Sequence, residues 1–194
     1  MPTVAISGLH GAGKTTAAKA LAKKFGLRYV SAGAVFRQMA RERGMSLDEF
    51  SRYVEGHPEI DREIDERSAE EAKSGNVLID ARLAGWMAKS ADVKILLTAS
   101  LETRVQRIAK RENRGVDDVM RETLARERSE AKRYKKLYGI DLNDHSVFDV
   151  VLSTERLNER EVVQVLEKVI ELMTRKNRGC LLYTSDAADD MQCV

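Results

Sequence analysis

The segment Gly8-Leu9-His10-Gly11-Ala12-Gly13-Lys14-Thr15 sets glycines, a lysine and a hydroxyl in the order G-x-x-x-x-G-K-[ST], with Thr16 next. These are residues for holding polyanions. Glycines let a backbone curl until successive N–H groups point inward at phosphate oxygens. A helix opening at Lys14 and Thr15 adds free donors and the positive end of its dipole. Lys14 can reach β- and γ-phosphates, and the Thr15 hydroxyl can ligate Mg²⁺. An apolar run precedes the loop and a helical pattern follows it, the context this motif requires. Residues 8–16 therefore read as a site for a nucleoside triphosphate. His10, at a variable position, is expected to serve through its backbone N–H rather than its imidazole.

Guanidinium groups form the second chemical feature. Their planar fork binds phosphate bidentately and never deprotonates. Arg37 follows a short strand pattern and the Ser31-Ala32-Gly33 turn, and Arg82 lies two residues past Asp80. Arg104, Arg107 and Arg111 share one helical face, as do Arg126 and Arg133, with Arg128 nearby. Any one of them could instead lie on a solvated helix face paired with glutamate, as Glu122 allows for Arg126. About half are expected to be bystanders, with Arg37, Arg82, Arg107 and Arg126 the favoured functional ones. The charged stretch 112–123 between the two arginine-rich arms reads as a mobile lid with little core to hold it.

The acidic candidates are fewer. Asp80 ends a strand pattern, where it would either approach Mg²⁺ with Thr15 or cap the strand. Asp61 and Asp65, one turn apart, could accept from an exocyclic amine of a base, but a solvated acidic face beside Arg62 and Glu66 is the commoner fate of such a pair. Trp86 is read as core.

These groups need elements to position them. Apolar runs at 3–7, 28–30, 76–80, 93–98 and 148–153 read as strands covered on both faces. Helical segments lie between them: one from Thr15 to Phe25 stopped by Gly26, one opened by a Ser46/Glu49 capping box, one begun by Pro58, and a last one opened by Asn158 and Glu161. Strands alternating with helices imply an α/β fold, a parallel sheet with helices on both faces, whose ligands collect at the carboxyl edge.

The 194 residues suit one domain, and 33% of them are charged. No apolar run approaches the roughly 18 residues of a membrane span. No secretory signal is visible, so a cytoplasmic protein is expected. A formal charge of +2 is too small to imply nucleic acid as the main partner. Both cysteines, Cys180 and Cys193, lie in the last fifteen residues, which excludes a disulfide framework or cysteine metal site from the main domain. Residues 177–194 break the pattern and read as translated adapter or a disordered tail, leaving residues 1–176 as the domain.

Triphosphate binding alone does not fix a reaction. A signalling GTPase needs an N-K-x-D string, and none occurs. A motor ATPase needs more chain. A phosphotransferase needs two facing anion sites, which the loop and the arginines supply. A nucleotide-dependent assembly or RNA-processing factor would have no use for the second.

The chain resembles the archaeal type of cytidylate kinase over residues 3–174. The resemblance rests on the loop 8–16, on Ser31-Ala32-Gly33 with Phe36-Arg37-Gln38-Met39-Ala40, and on Arg41-Glu42-Arg43-Gly44-Met45-Ser46-Leu47. It continues through His57-Pro58-Glu59-Ile60-Asp61, Arg82-Leu83-Ala84-Gly85-Trp86, and Arg133-Tyr134 with Tyr138-Gly139-Ile140-Asp141. Ala81 departs from the family pattern, which usually has glycine there. The resemblance implies a P-loop kinase three-layer fold: a five-stranded parallel sheet, an acceptor-binding helical region at about 31–75 and a lid at about 107–133. It implies ATP and Mg²⁺ as donor and ion, and CMP, with dCMP, as acceptor; adenylate or another small molecule is the alternative acceptor. By position, Arg37 and Arg82 would hold the acceptor phosphate with Ser31 near it, and Arg107, Arg126 and Arg133 would close on the transferring phosphoryl. The expected partner is thus a small-molecule nucleoside monophosphate bound by a monomer, with no nucleic acid and no membrane.

Overall fold

Valine, isoleucine and leucine, which suit a pleat packed on both sides, dominate the five strands: β1 (Thr3–Gly8), β2 (Arg28–Ser31), β3 (Val77–Asp80), β4 (Val93–Thr98) and β5 (Val150–Ser153). The computed structural model describes residues 2–179. All strands are parallel, in the order β2-β3-β1-β4-β5. The register sets Ile6 beside both Asp80 and Ile95, and Ser31 beside Asp80. Consequently the ends of β1, β2 and β3 meet at one edge, the edge that carries the chemistry.

Side chains alternate across the pleat. Val4, Ile6, Leu78, Ile95 and Leu97 face α1 (Lys14–Phe25) and α8 (Glu159–Gly179), where Leu21, Leu166 and Ile170 bury completely. Ala5, Val77 and Ile79 face the opposite side, against Ala72 of α4 (Pro58–Lys73) and Ala84 of the short α5 (Ala84–Met87). This is the expected α/β sandwich with helices on both faces. Ala81 is buried and donates its N–H to Ile6 O, so its methyl group is accommodated.

Two satellite clusters build the walls of the site. The helices α2 (Ala32–Glu42), α3 (Leu47–Glu55) and α4 enclose Phe50, Val54, Ile60 and Ile64. Their starts follow local rules. Ser31 caps α2, Ser46 and Glu49 form a complete capping box on α3, and Pro58 opens α4. A helical hairpin, α6 (Leu101–Glu112) and α7 (Val116–Tyr138), forms the second wall. It turns at Asn113, whose φ of 51° is left-handed. The lid expectation needs correction on one point: Val119 joins Val105, Ile108 and Ala109 in a buried cluster, so this segment has a core of its own. Helix α8 runs through residues 177–179, three residues into the presumed tail. The rest of that tail, with both cysteines, lies outside the described residues. Among the described residues no helix is long and apolar enough to cross a membrane.

Candidate active site

The loop between β1 and α1 curls through left-handed backbone at Gly11 (φ 80°) and Gly13 (φ 90°). At Gly11 the need for glycine is also steric, since a Cβ would come within 2.6 Å of the Arg104 carbonyl oxygen. Thr154, past the end of β5, lies behind the loop with its Oγ1 3.2 Å from Ala12 O. The loop opens onto a cavity of about 440 Å³, roofed by α6 and α7 and floored by α2 and α4.

Lys14 Nζ folds back to donate to Leu9 O at 2.9 Å. Burial lowers its pKa to about 8, against the opposing pull of Asp80. Thr15 Oγ1 and Tyr29 OH both donate to Asp80 Oδ2, at 2.7 and 2.9 Å. A threonine hydroxyl and one carboxylate are hard oxygen donors in contact, the sparse protein set that Mg²⁺ uses when phosphates and water complete its shell. Thr15 and Asp80 therefore fit the expected ion, and Tyr29 orients the carboxylate. Among the described residues no cluster of three His, Cys, Asp or Glu side chains offers a further metal site.

Five arginines line the cavity; Arg111 and Arg114 pair with Glu112, and Arg37, Arg82 and Arg126 stand across from the loop. Arg37 lines it with Ser31 and Gly33, and burial lowers its pKa. Arg82 donates to Gly8 O at 3.2 Å, and its Nη2 lies 3.1 Å from Glu130 Oε2 without hydrogen-bond geometry. The Nε and Nη2 atoms of Arg82 and Nε of Arg126 are buried without a hydrogen bond. Buried orphan donors are rare because each costs about 1–3 kcal/mol. Arg82 Nη2 has the Glu130 carboxylate as its ion-pair partner, so that cost falls on Arg82 Nε and Arg126 Nε, on two side chains that line the cavity. Glu122 does not quench Arg126; it pairs with Arg114 at 2.7 Å.

Two expected phosphoryl ligands lie elsewhere. Arg107 donates to Thr154 Oγ1 and O, at 2.9 and 2.7 Å, and does not line the cavity. Its position on α6 faces the end of β5, so it braces the loop from outside. Arg133 is 5% exposed and donates to Asp61 Oδ2 at 2.7 Å, with further bonds to Ser51 and Ser129. It clamps α7 to α3 and α4. Asp61 borders the cavity, but the ion pair occupies its Oδ2; the solvated-face alternative fails too, since α7 covers it. Asp65 is also buried on the cavity wall and accepts from Tyr138 OH at 3.0 Å. Trp86 is half-buried and packs edge-on against Phe148, outside the cavity lining.

Residues not singled out as site groups complete the network. Arg104, 3% exposed, donates to His10 O at 3.0 Å and pairs with Glu127 at 2.5 Å. Glu130 accepts from His10 Nε2 at 2.8 Å. The sequence hides these contacts, because Glu127 and Glu130 sit among Arg126, Arg128 and Arg133, which suggests pairing along α7, whereas their partners lie on α6 and the phosphate loop.

The model of the cytidylate kinase-like family matches residues 3–156. The chain is 48% identical over 168 residues to a cytidylate kinase of Pyrococcus horikoshii, covering 87% of this chain and 88% of that one. It is 47% identical over 172 residues to a cytidylate kinase of Methanocaldococcus jannaschii, covering 87% and 97%. Among solved structures, an uncharacterized protein from Eubacterium ventriosum superposes with a TM-score of 0.67 at 13% identity, covering 88% of this chain and 99% of that one. Shikimate kinase from Bacteroides thetaiotaomicron does so with 0.54 at 18%, covering 88% and 98%. These two likenesses speak for the fold.

Proposed function

The chain belongs to the cytidylate kinase-like family, and from that premise we propose that it transfers the γ-phosphoryl group of MgATP to CMP, and to dCMP, giving ADP and the pyrimidine nucleoside diphosphate. The observation that carries this reading is the cavity itself, with the loop backbone and Lys14 on one side and the guanidinium groups of Arg37, Arg82 and Arg126 on the other.

The chemistry follows from placement. The loop amides and Lys14 hold the β- and γ-phosphates, while Arg37 and Arg82 seat the acceptor phosphate with an oxygen facing the γ-phosphorus. That oxygen forms the new O–P bond as the bond from the γ-phosphorus to its bridging oxygen breaks, and ADP leaves. Arg126 faces the charge that spreads over the transferring group, where an arginine is worth roughly 10³–10⁵ in rate. Thr15 and Asp80 would hold Mg²⁺, which when bound neutralises phosphate charge. No protein nucleophile is needed, because positioning and charge compensation supply the catalysis. Asp65 is the carboxylate we assign to the cytosine amine, since Arg133 occupies Asp61.

The proposed working unit is a monomer acting in the cytoplasm on free nucleotides rather than nucleic acid. Full-length protein assayed with MgATP and each monophosphate in turn tests the reading. Turnover is expected with CMP and dCMP. Preference for AMP, or ATP hydrolysis independent of any acceptor, would overturn it.

A further inference from the structure

His10 occupies a position in the phosphate loop that the motif leaves free, yet its side chain is engaged. Its Nε2 lies 2.8 Å from Glu130 Oε1, joining the loop to α7 across 120 residues of sequence. Burial holds the imidazole neutral, with a pKa of about 4, so the proton on Nε2 is donated to the carboxylate. Glu130 is 6% exposed, and its second oxygen faces Arg82 Nη2 at 3.1 Å without completing a hydrogen bond. Glu127, the other acid near Arg82, is spent on Arg104 and stays 4.0 Å away.

The shared carboxylate is the informative group. A glutamate free to rotate beside a buried guanidinium could turn both oxygens to it and occupy the donors that a phosphate needs. Here one oxygen of Glu130 is tied to the imidazole, so only the other pairs with Arg82, whose side chain lines the cavity. We propose that His10 and Glu130 are positioning residues that hold Arg82 poised for the acceptor phosphate, linking the ATP loop to the acceptor site. Neither touches the reacting atoms. His10 restrains Glu130, and Glu130 sets the attitude of Arg82 through a single oxygen. Because the link starts in the donor loop, a shift of that loop on ATP binding passes to the arginine that receives the second substrate. This rests on the phosphoryl-transfer reading above.

Kinetics of the full chain test it, with His10→Ala, His10→Gln, Glu130→Gln and the double variant His10→Ala/Glu130→Gln, each checked by thermal melt. His10→Ala is expected to raise KM for CMP about tenfold or more, the size of one charge-assisted hydrogen bond. KM for ATP should move far less, because the loop amides remain. His10→Gln, which restores a donor near the same place, should recover most of the loss. In the Glu130→Gln background, where no charge is left to restrain, removing His10 should add little, a non-additivity that a double-mutant cycle reads directly. Equal rises in both KM values, a glutamine variant no better than alanine, or additive effects would each overturn the proposal. Wild-type protein inert toward CMP would instead end the phosphoryl-transfer reading. The contact is then still decided by the ¹⁵N spectrum of His10: a neutral, Nε2-protonated ring whose signal shifts in Glu130→Gln supports it, and an unaltered signal refutes it.

Discussion

Replacing Arg133 by alanine separates a structural guanidinium from a catalytic one. Its side chain and that of Asp61 are each 5% exposed and meet at 2.7 Å. The same guanidinium also donates to Ser51 O at 3.2 Å and Ser129 Oγ at 2.6 Å. Truncation would leave the buried Asp61 carboxylate without its counter-charge, and breaking one partner of such a pair costs about 3–5 kcal/mol. For a chain of this size each kcal/mol moves Tm by roughly 2–4 °C, so a fall of about 6–20 °C is expected. Below that melt, kcat with CMP should fall by less than about tenfold, since no reacting atom loses a contact. Asp61→Asn in the Arg133→Ala background should recover part of the stability by removing the orphaned charge. Arg126→Ala is the counterpart, expected to leave Tm nearly unmoved and to lower kcat by roughly 10³-fold or more. Thermal circular dichroism and a coupled ADP-release assay on the same samples decide the matter. An Arg133→Ala protein that melts like wild type yet has lost a thousandfold in kcat would refute this assignment and return Arg133 to the transferring phosphoryl group.

Three shorter predictions accompany it. Lys14→Ala should abolish most turnover with the fold intact, and near-normal turnover would remove the lysine from its assigned role. Arg37→Ala should chiefly raise KM for the monophosphate, whereas an equal loss of ATP affinity by calorimetry would count against an acceptor-side position. Burial raises the pKa of Asp65 to about 7, with the Tyr138 hydrogen bond opposing. The native state thus keeps a proton that the unfolded chain sheds near 3.8. Stability is therefore greatest below about pH 4 as far as this group is concerned and declines through pH 7, by on the order of a few kcal/mol. Asp65→Asn should flatten that slope in urea titrations between pH 5 and 8, and parallel slopes would contradict it.

The sheet was legible because its central strands are buried on both faces and appear as apolar runs such as Val4–Ile6 and Val77–Ile79, and the half-exposed edge strand keeps the apolar run Val150–Leu152. The phosphate loop was legible because its function is made by contiguous backbone. Arginine spacing told which guanidinium groups share a helical face, and Arg37, Arg82 and Arg126 do converge on one cavity. It could not tell what each face meets. Arg107 finds Thr154, 47 residues away, and Arg133 finds Asp61, 72 residues away. Those partners depend on where α6 and α7 cross the body of the protein, which no local pattern encodes. The misreading of Asp61 and Asp65 has the same origin, since their acidic helix looks solvent-facing until α7 covers it.

Helix α7 shows how one stripe of residues serves two purposes. Arg126 and Arg133, seven apart, share a face but stand about 10 Å apart along the axis. That distance carries the helix from the cavity, where a guanidinium is left without partners, to the junction with α3 and α4, where one is fully spent. Glu130 lies between them, tied to the phosphate loop. The C-terminal half of α7 is thus fastened to the body at Ser51, Asp61 and His10, while Val119 in its N-terminal half packs in the hairpin cluster with Val105 and Ile108. Under the proposed function, closure over bound nucleotides would fall in the part beyond these fastenings, about residues 112–126, a shorter lid than the 107–133 expected from sequence. That part would carry Arg126 toward the transferring phosphoryl group.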